Sequence, residues 1–191
     1  MKTEKADQRV KITKMLLKKS LVELMRENPI SKLSVKMLCE AADINRSTFY
    51  AHYSDQYDLL KQLEQEVISE LKKHISKEVF LKHTEQTTQA MNQILDYIAK
   101  NAELFKILLS ENGDSSFHRE IMSLAQQKII SDIHNNQSID ASISEYLQCF
   151  AVTGALSIVQ KWLQDGIIES TEKMSELTSK LIYKGVSAFY S

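Results

Sequence analysis

The chain predicts an all-α protein, and three observations carry that expectation. Long stretches are rich in Leu, Ile, Lys, Glu and Gln, which favour helix, and the unbranched ones among them lose little freedom there. Four Gly and one Pro in 191 residues leave little material for hairpins or a βαβ series. Apolar residues recur at helical rather than alternating spacing. An apolar content of 43% is ample for a packed core, and the length suits one generous domain or a small and a medium one.

The first helix is expected from about Asp7 to Glu27, where Leu17, Leu21, Leu24 and Met25 form an inward stripe. Asn28-Pro29 ends it, because the residue before proline is biased away from α conformation. Ser34 is a good N-cap for a second helix, in which Val35, Leu38, Cys39 and Ala42 fall at i, i+3, i+4 and i+7. Asp43-Ile44 makes a turn, and the side-chain oxygen of Asn45 can cap a third helix. Ser54 is read as the cap of a longer fourth helix containing Leu59, Leu60, Leu63, Val67, Ile68, Leu71 and Ile75. Further helices are expected near Thr87 to Asn101, Ala102 to Ser110, Ser115 to Asn135, Ala141 to Asp165 and Thr171 to Tyr190, giving about nine in all. Asn112-Gly113-Asp114, Asn135-Asn136 and Asp165-Gly166 supply breaks. There is no internal repeat or low-complexity segment.

Residues 34 to 53 thus read as two short helices joined by a tight turn, a helix-turn-helix. Its significance is that the major groove of duplex DNA admits one α-helix and displays a distinct donor and acceptor pattern for each base pair. On the third helix, 100° spacing puts Phe49 and Tyr53 on one face and Ser47 and Ala51 opposite, with Thr48 and Tyr50 on the flanks. The Ser47 face is the readable one. Small side chains let the helix sink into a groove, the hydroxyls and Arg46 can reach phosphates or bases, and Ala51 suits a thymine methyl. Leu38, Ile44 and Phe49 belong to the core of the unit, while Tyr53 fits either a core or a partly exposed position.

The formal net charge of −1 hides an uneven distribution. Residues 1 to 62 hold 12 Lys and Arg against 8 Asp and Glu, and the remainder holds 12 against 17. The amino-terminal third therefore has the basic footprint that phosphates attract, although solvated helix faces account for the same charges. Cys39 and Cys149 lie within apolar helical patterns and are expected to be buried free thiols. The first residues lack the apolar core of a signal peptide and no uncharged run reaches a membrane span, so a soluble cytoplasmic protein is expected. No nucleophile elbow, Gly-rich phosphate loop or metal-binding repeat appears, and His74, His83, His118 and His134 are too widely spaced to share a metal on one helical face. Neither an enzyme nor a cofactor is expected.

The run Ala41-Ala42-Asp43-Ile44-Asn45-Arg46-Ser47-Thr48-Phe49-Tyr50-Ala51-His52-Tyr53, followed by Leu59-Leu60, resembles the TetR/AcrR family of bacterial transcriptional regulators. Residues 105–117 and 154–166 are similar to a carboxyl-terminal domain of that family common in low-GC Gram-positive bacteria. The resemblance implies that Ser34 caps the second helix against a phosphate and that Lys36 reaches the DNA backbone. It implies that Asn45, Arg46, Ser47, Thr48 and Ala51 approach the major groove while Tyr50 and His52 anchor phosphates. Two positions depart from the family pattern: its turn glycine is Asp43 here, and the lysine that opens its fourth helix is Gln56. Asp enters left-handed backbone space at some cost, and losing a cation at position 56 lowers the electrostatic share of DNA affinity.

One helix-turn-helix reads only a few base pairs, so a homodimer is expected, with recognition helices about 34 to 36 Å apart. A small-residue and apolar stripe, Ala151, Gly154, Ala155 and Ile158, and a second of Leu177, Leu181, Tyr183 and Ala188, suit a four-helix bundle with a second copy, or ordinary core. The resemblance further implies a small-molecule pocket, for which Phe105, Leu109, Phe117, Met122, Tyr146, Phe150 and Trp162 are candidate lining; plain core packing suits each as well. The expectation is a repressor with a helix-turn-helix domain over residues 1–54 and a helical dimerisation and ligand-sensing domain over 55–191. Its partners are operator DNA, a second copy and a small-molecule effector. The rival is a helical sensor or protein-interaction module, or a partner-dependent activator, with little DNA recognition of its own.

Overall fold

The computed structural model describes residues 2–75, 85–110, 112–134 and 141–187. Among them every regular element is helical: α1 (Lys2–Met25), a 3-10 turn (Ile30–Lys32), α2 (Val35–Ala42), α3 (Arg46–Tyr50), α4 (Gln56–His74), α5 (Glu85–Lys100), α6 (Ala102–Leu108), α7 (Ser115–His134), α8 (Ala141–Gln164) and α9 (Thr171–Ser187). The all-α expectation holds, with boundaries mostly within three residues of those read from spacing and caps; α1 is the exception, beginning at Lys2, five residues before the expected Asp7. The 3-10 turn after Pro29 was not anticipated. Ala188, His83, Tyr190 and Asn135-Asn136 lie outside the described residues.

The chain forms two compact units. One comprises Met1–Val67 with Ile107–Phe117, the other Ile68–Lys106 with His118–Ser191. The first unit is built on Leu17, Leu21 and Met25 of α1, Leu38 of α2, Phe49 of α3 and Leu59 and Leu60 of α4, all at most 2% exposed. Segment 107–117 closes it: the Asn112 Nδ2 donates to the carbonyls of Met25 and Arg26 at 3.3 and 3.4 Å, satisfying orphan acceptors at the end of α1. Gly113 is required there by close approach, since a Cβ would lie 2.4 Å from the Leu108 carbonyl oxygen.

In the second unit α9 packs along α5 and against α8. Leu147, Ala151, Val152 and Ile182 form one buried cluster there, with Met91, Met122, Ala125 and Ala155 packed on it. Gly166 (φ 86°) and Ile167 (φ 60°) end α8 in left-handed backbone, as the Asp165-Gly166 break predicts. A β-branched residue is strained in that region. The Ile167 N–H to the Trp162 carbonyl (3.0 Å) and the Trp162 Nε1 to the Glu169 carbonyl (2.9 Å) hold the turn.

Candidate nucleic-acid interface

The recognition unit is assembled by caps at each helix end. Ser34 Oγ accepts the Met37 N–H at 3.3 Å and starts α2. Asp43 ends α2 at φ 52°, ψ 47°, the left-handed conformation that a family glycine adopts without a Cβ penalty. The Ile44 N–H then reaches the Cys39 carbonyl at 2.9 Å and turns the chain. Asn45 starts α3: its Oδ1 accepts both the Ser47 N–H (3.1 Å) and the Ser47 hydroxyl (3.2 Å). Ser54 is not the cap of α4. Asp55 Oδ1 accepts the Asp58 N–H at 2.8 Å, while Asp58 Oδ2 reaches back to the Ser54 N–H at 2.9 Å, a reciprocal box built from two aspartates. That backbone bond, then a bond from the Gln62 side chain, holds the Asp58 carboxyl below its ordinary range.

These caps hold α3 so that one face is buried and the other open. Phe49 is completely buried and Tyr53 is 2% exposed, which resolves Tyr53 as core. Phe49 meets Tyr50 edge-on at 5.6 Å and Tyr53 at 5.7 Å. Burial, then the charges of Glu66 and Asp58, push the Tyr53 phenol up to about 12. Lys14 Nζ lies 5.8 Å from the Tyr53 ring centroid. Ser34, Lys36, Asn45, Arg46, Ser47, Tyr50 and Ala51 are exposed, and Thr48 and His52 are half-buried. Lys36 Nζ lies 3.8 Å from Glu40, so that cation is partly compensated. A shallow groove runs along Lys36, Cys39, Glu40, Asp43, Ile44, Asn45 and Arg46. Burial pushes the Cys39 thiol up against the lowering effect of Arg46, which makes it a packing group.

The second unit exposes a different kind of face. On α8, Ile143, Tyr146 and Phe150 stand out at 38%, 78% and 61% exposure; on α9, Leu177, Leu181 and Tyr183 are exposed as well. Phe150 leans on Gly185 of α9, whose absent side chain leaves room for the ring. Of the small-residue stripe, Ala151 is buried, Gly154, Ala155 and Ile158 are half-buried, and a Cβ added at Gly154 would meet open space. Cys149 is also exposed, contrary to the expectation of a buried thiol, because it sits on the outer side of α8.

The seven pocket candidates are divided between the two units. Tyr146 and Phe150 are external, Leu109 and Phe117 belong to the first unit, and Phe105, Met122 and Trp162 lie in the second. Phe105 packs edge-on against Tyr97 at 5.7 Å, and the Trp162 Nε1 donates to the Glu169 carbonyl. Among the described residues no cluster of three His, Cys, Asp or Glu is placed to hold a metal ion. No described helix is long and apolar enough to cross a membrane.

Two family models match this chain. Residues 19–63 match that of the bacterial regulatory proteins of the tetR family, and residues 85–184, more than half of the chain, match a TetR transcriptional regulator C-terminal region. The chain belongs to the TetR family of transcriptional regulators. It is 21% identical over 175 residues to the uncharacterized HTH-type transcriptional regulator YxbF of Bacillus subtilis (strain 168). That match takes in 87% of the chain but only 43% of YxbF, so the chain spans less than half the length of this TetR-type relative. Among solved structures, a TetR regulator from Streptococcus agalactiae superposes with a TM-score of 0.67 at 22% identity, covering 94% of this chain and 98% of that one. The dihydroxyacetone kinase operon activator DhaS gives 0.60 at 20% identity, covering 94% and 98%. FadR from Bacillus subtilis, solved with stearoyl-CoA, gives 0.60 at 13% identity, covering 90% and 98%. Both the TetR family models and this fold are those of transcriptional regulators.

Proposed function

We propose that the chain acts as a homodimeric, sequence-specific repressor that occludes a promoter and leaves it when a small molecule binds. The observation that carries this reading is the open side of α3: Ser47 and Ala51 stand opposite a completely buried Phe49, and Asn45 and Arg46 are exposed at the amino-terminal end of the helix. Small groups on a firmly anchored helix fit the major groove, and a guanidinium beside them supplies the bidentate donor that guanine accepts. In this reading residues 1–54 bind the operator, with Ser34, Lys36, Tyr50 and His52 on phosphates, Thr48 at the groove edge, and residues 55–191 dimerise and sense. The second copy covers Ile143, Tyr146 and Phe150 of α8 and Leu177, Leu181 and Tyr183 of α9, large apolar groups that are exposed in the single chain and gain from burial. Phe105, Met122 and Trp162 are the proposed ligand contacts within the second unit. Release follows if the effector prefers the arrangement with wrongly spaced recognition helices, and a coupling of about 1–3 kcal/mol changes affinity roughly five- to 150-fold.

The test is selection of bound duplexes from a random pool by the parent protein and by Arg46→Ala. The parent enriches a palindrome, and the variant loses about 1–3 kcal/mol of preference at one position of each half-site. A folded dimer that enriches nothing rules out autonomous operator recognition and favours the sensor or partner-dependent reading.

A further inference from the structure

The positive charge of the first unit is not where the helix-turn-helix is. Residues 34–54 hold two Lys and Arg against two Asp and Glu, so the recognition unit is formally neutral. Residues 2–19 hold seven against two, and residues 20–62 five against six. The whole excess of the amino-terminal third therefore sits at the start of α1, in a stretch that ends where the amino-terminal family match begins.

Packing along α1 is just as uneven. Leu17, Ser20, Leu21 and Met25 are buried, whereas every residue from Asp7 to Leu16 is exposed or half-buried. Contacts within the unit fix which way the unpacked half points. The carboxyl end of α1 is tied to Asn112, and Lys14 lies over Tyr53, just past the carboxyl end of α3. From Met25 to Lys14 the helix rises about 16 Å, and residues 2–13 continue about 18 Å beyond, away from Asn112. Lys18 is paired with Glu66, but Arg9 and Lys11 are exposed and make no ion pair with another described residue.

We propose that the amino-terminal half of α1 is a second DNA-contacting element, in which Arg9, Lys11 and Lys14 bind phosphates flanking the bases read by α3. The inference rests on the DNA-binding reading above, but on none of its base contacts. A neutral recognition unit gains little from counterion release, so the electrostatic share of affinity must come from another surface beside it. The arm offers that surface: it is cationic in sequence, its Arg9 and Lys11 are exposed and make no ion pair with another described residue, and Lys14 ties it to Tyr53 just past α3. Duplex DNA is the matching partner, with one negative charge per roughly 1.7 Å of its axis.

The experiment compares the full-length parent, Arg9→Ala/Lys11→Ala and the charge-conserving Arg9→Lys/Lys11→Arg, each checked for helicity, across a range of salt concentrations. Probes are a long duplex of mixed sequence, the duplex enriched by selection, and that duplex trimmed to its recognised bases. Each lost phosphate contact lowers the slope of log affinity against log salt by about 0.9, so the alanine pair lowers it by about 3.6 in a dimer. Affinity falls alike on both long duplexes, base preference is unchanged, the conservative variant matches the parent, and trimming removes the difference. A steep parent slope with an identical alanine slope overturns the arm and leaves the DNA-binding reading standing. A loss confined to the selected duplex overturns it too, by making the arm a base reader, and a parent with no affinity for any duplex overturns both.

Discussion

The outward face of α3 and that of α8 and α9 are equally open and chemically opposite. The first offers Asn45, Arg46, Ser47 and Ala51; the second offers Ile143, Tyr146, Phe150, Leu177 and Leu181. A face of small polar groups loses nothing by standing in water and gains from a charged, hydrogen-bonding partner. A face of large apolar groups is stabilised by burial, at about 25 cal/mol per Å² removed from water. Exposure alone does not identify a site; the chemistry of what is exposed suits a charged, hydrogen-bonding partner at one face and an apolar partner at the other, which is why nucleic acid and a second copy are proposed for them.

The sharpest way to break this comparison is to remove what anchors the polar face. Phe49→Ala empties the centre of the recognition unit and is expected to cost about 3–5 kcal/mol, read by urea unfolding, with loss of DNA binding. On the apolar face, Phe150→Asp places a charge where a copy would pack. Sedimentation should find association weakened by about 2 kcal/mol or more, while the monomer keeps its helicity. Unchanged assembly would mean that α8 faces something other than a second copy.

A smaller effect is expected at the α4 cap. Asp58→Ala removes the acceptor for the Ser54 N–H and should cost about 1 kcal/mol. Because the folded Asp58 titrates below its ordinary range, its contribution is complete above the unfolded value, near 3.9, and disappears as pH falls through the lowered folded value. The acid limb of a stability profile should therefore flatten in Asp58→Ala. Tyr53→Phe is the mildest. Its hydroxyl is buried with no hydrogen-bond partner among the described residues, so the change is near neutral at pH 7. A phenol raised to about 12 when folded stabilises fully below its unfolded value, near 10, and the benefit is lost as pH rises through about 12. The phenylalanine variant should lose that part of the alkaline decline.

Much of this was legible in the sequence because caps and turns are local chemistry. Ser34, Asp43 and Asn45 act within a few residues of themselves, and the position of Phe49 opposite Ser47 follows from helical spacing alone. What was not legible depends on partners far along the chain. α8 is apolar around much of its circumference, so periodicity does not separate the face bearing Leu147 and Ala151, which packs inside, from the face bearing Tyr146 and Phe150, which does not. Phe117 joins the first unit through segment 107–117, a long-range association invisible to a local pattern. Asp55 displaced Ser54 as cap because the carboxylate at 58 was free to take the serine amide instead.

The pair of hydrogen bonds from Ser47 to Asn45 fixes a polarity at the exposed start of α3. With both lone pairs of Oδ1 spoken for by the amide and hydroxyl of Ser47, the Asn45 carboxamide has only its Nδ2 hydrogens left to offer. Ser47, having given its hydroxyl proton inward, presents an oxygen outward, and the Arg46 guanidinium only donates. Asn-Arg-Ser thus reads outward as donor, donor, acceptor. In the proposed reading this closes Asn45 to the two-pronged pairing with adenine, which needs its oxygen and nitrogen together, and favours a duplex that sets acceptors against Asn45 and Arg46 and a donor against Ser47.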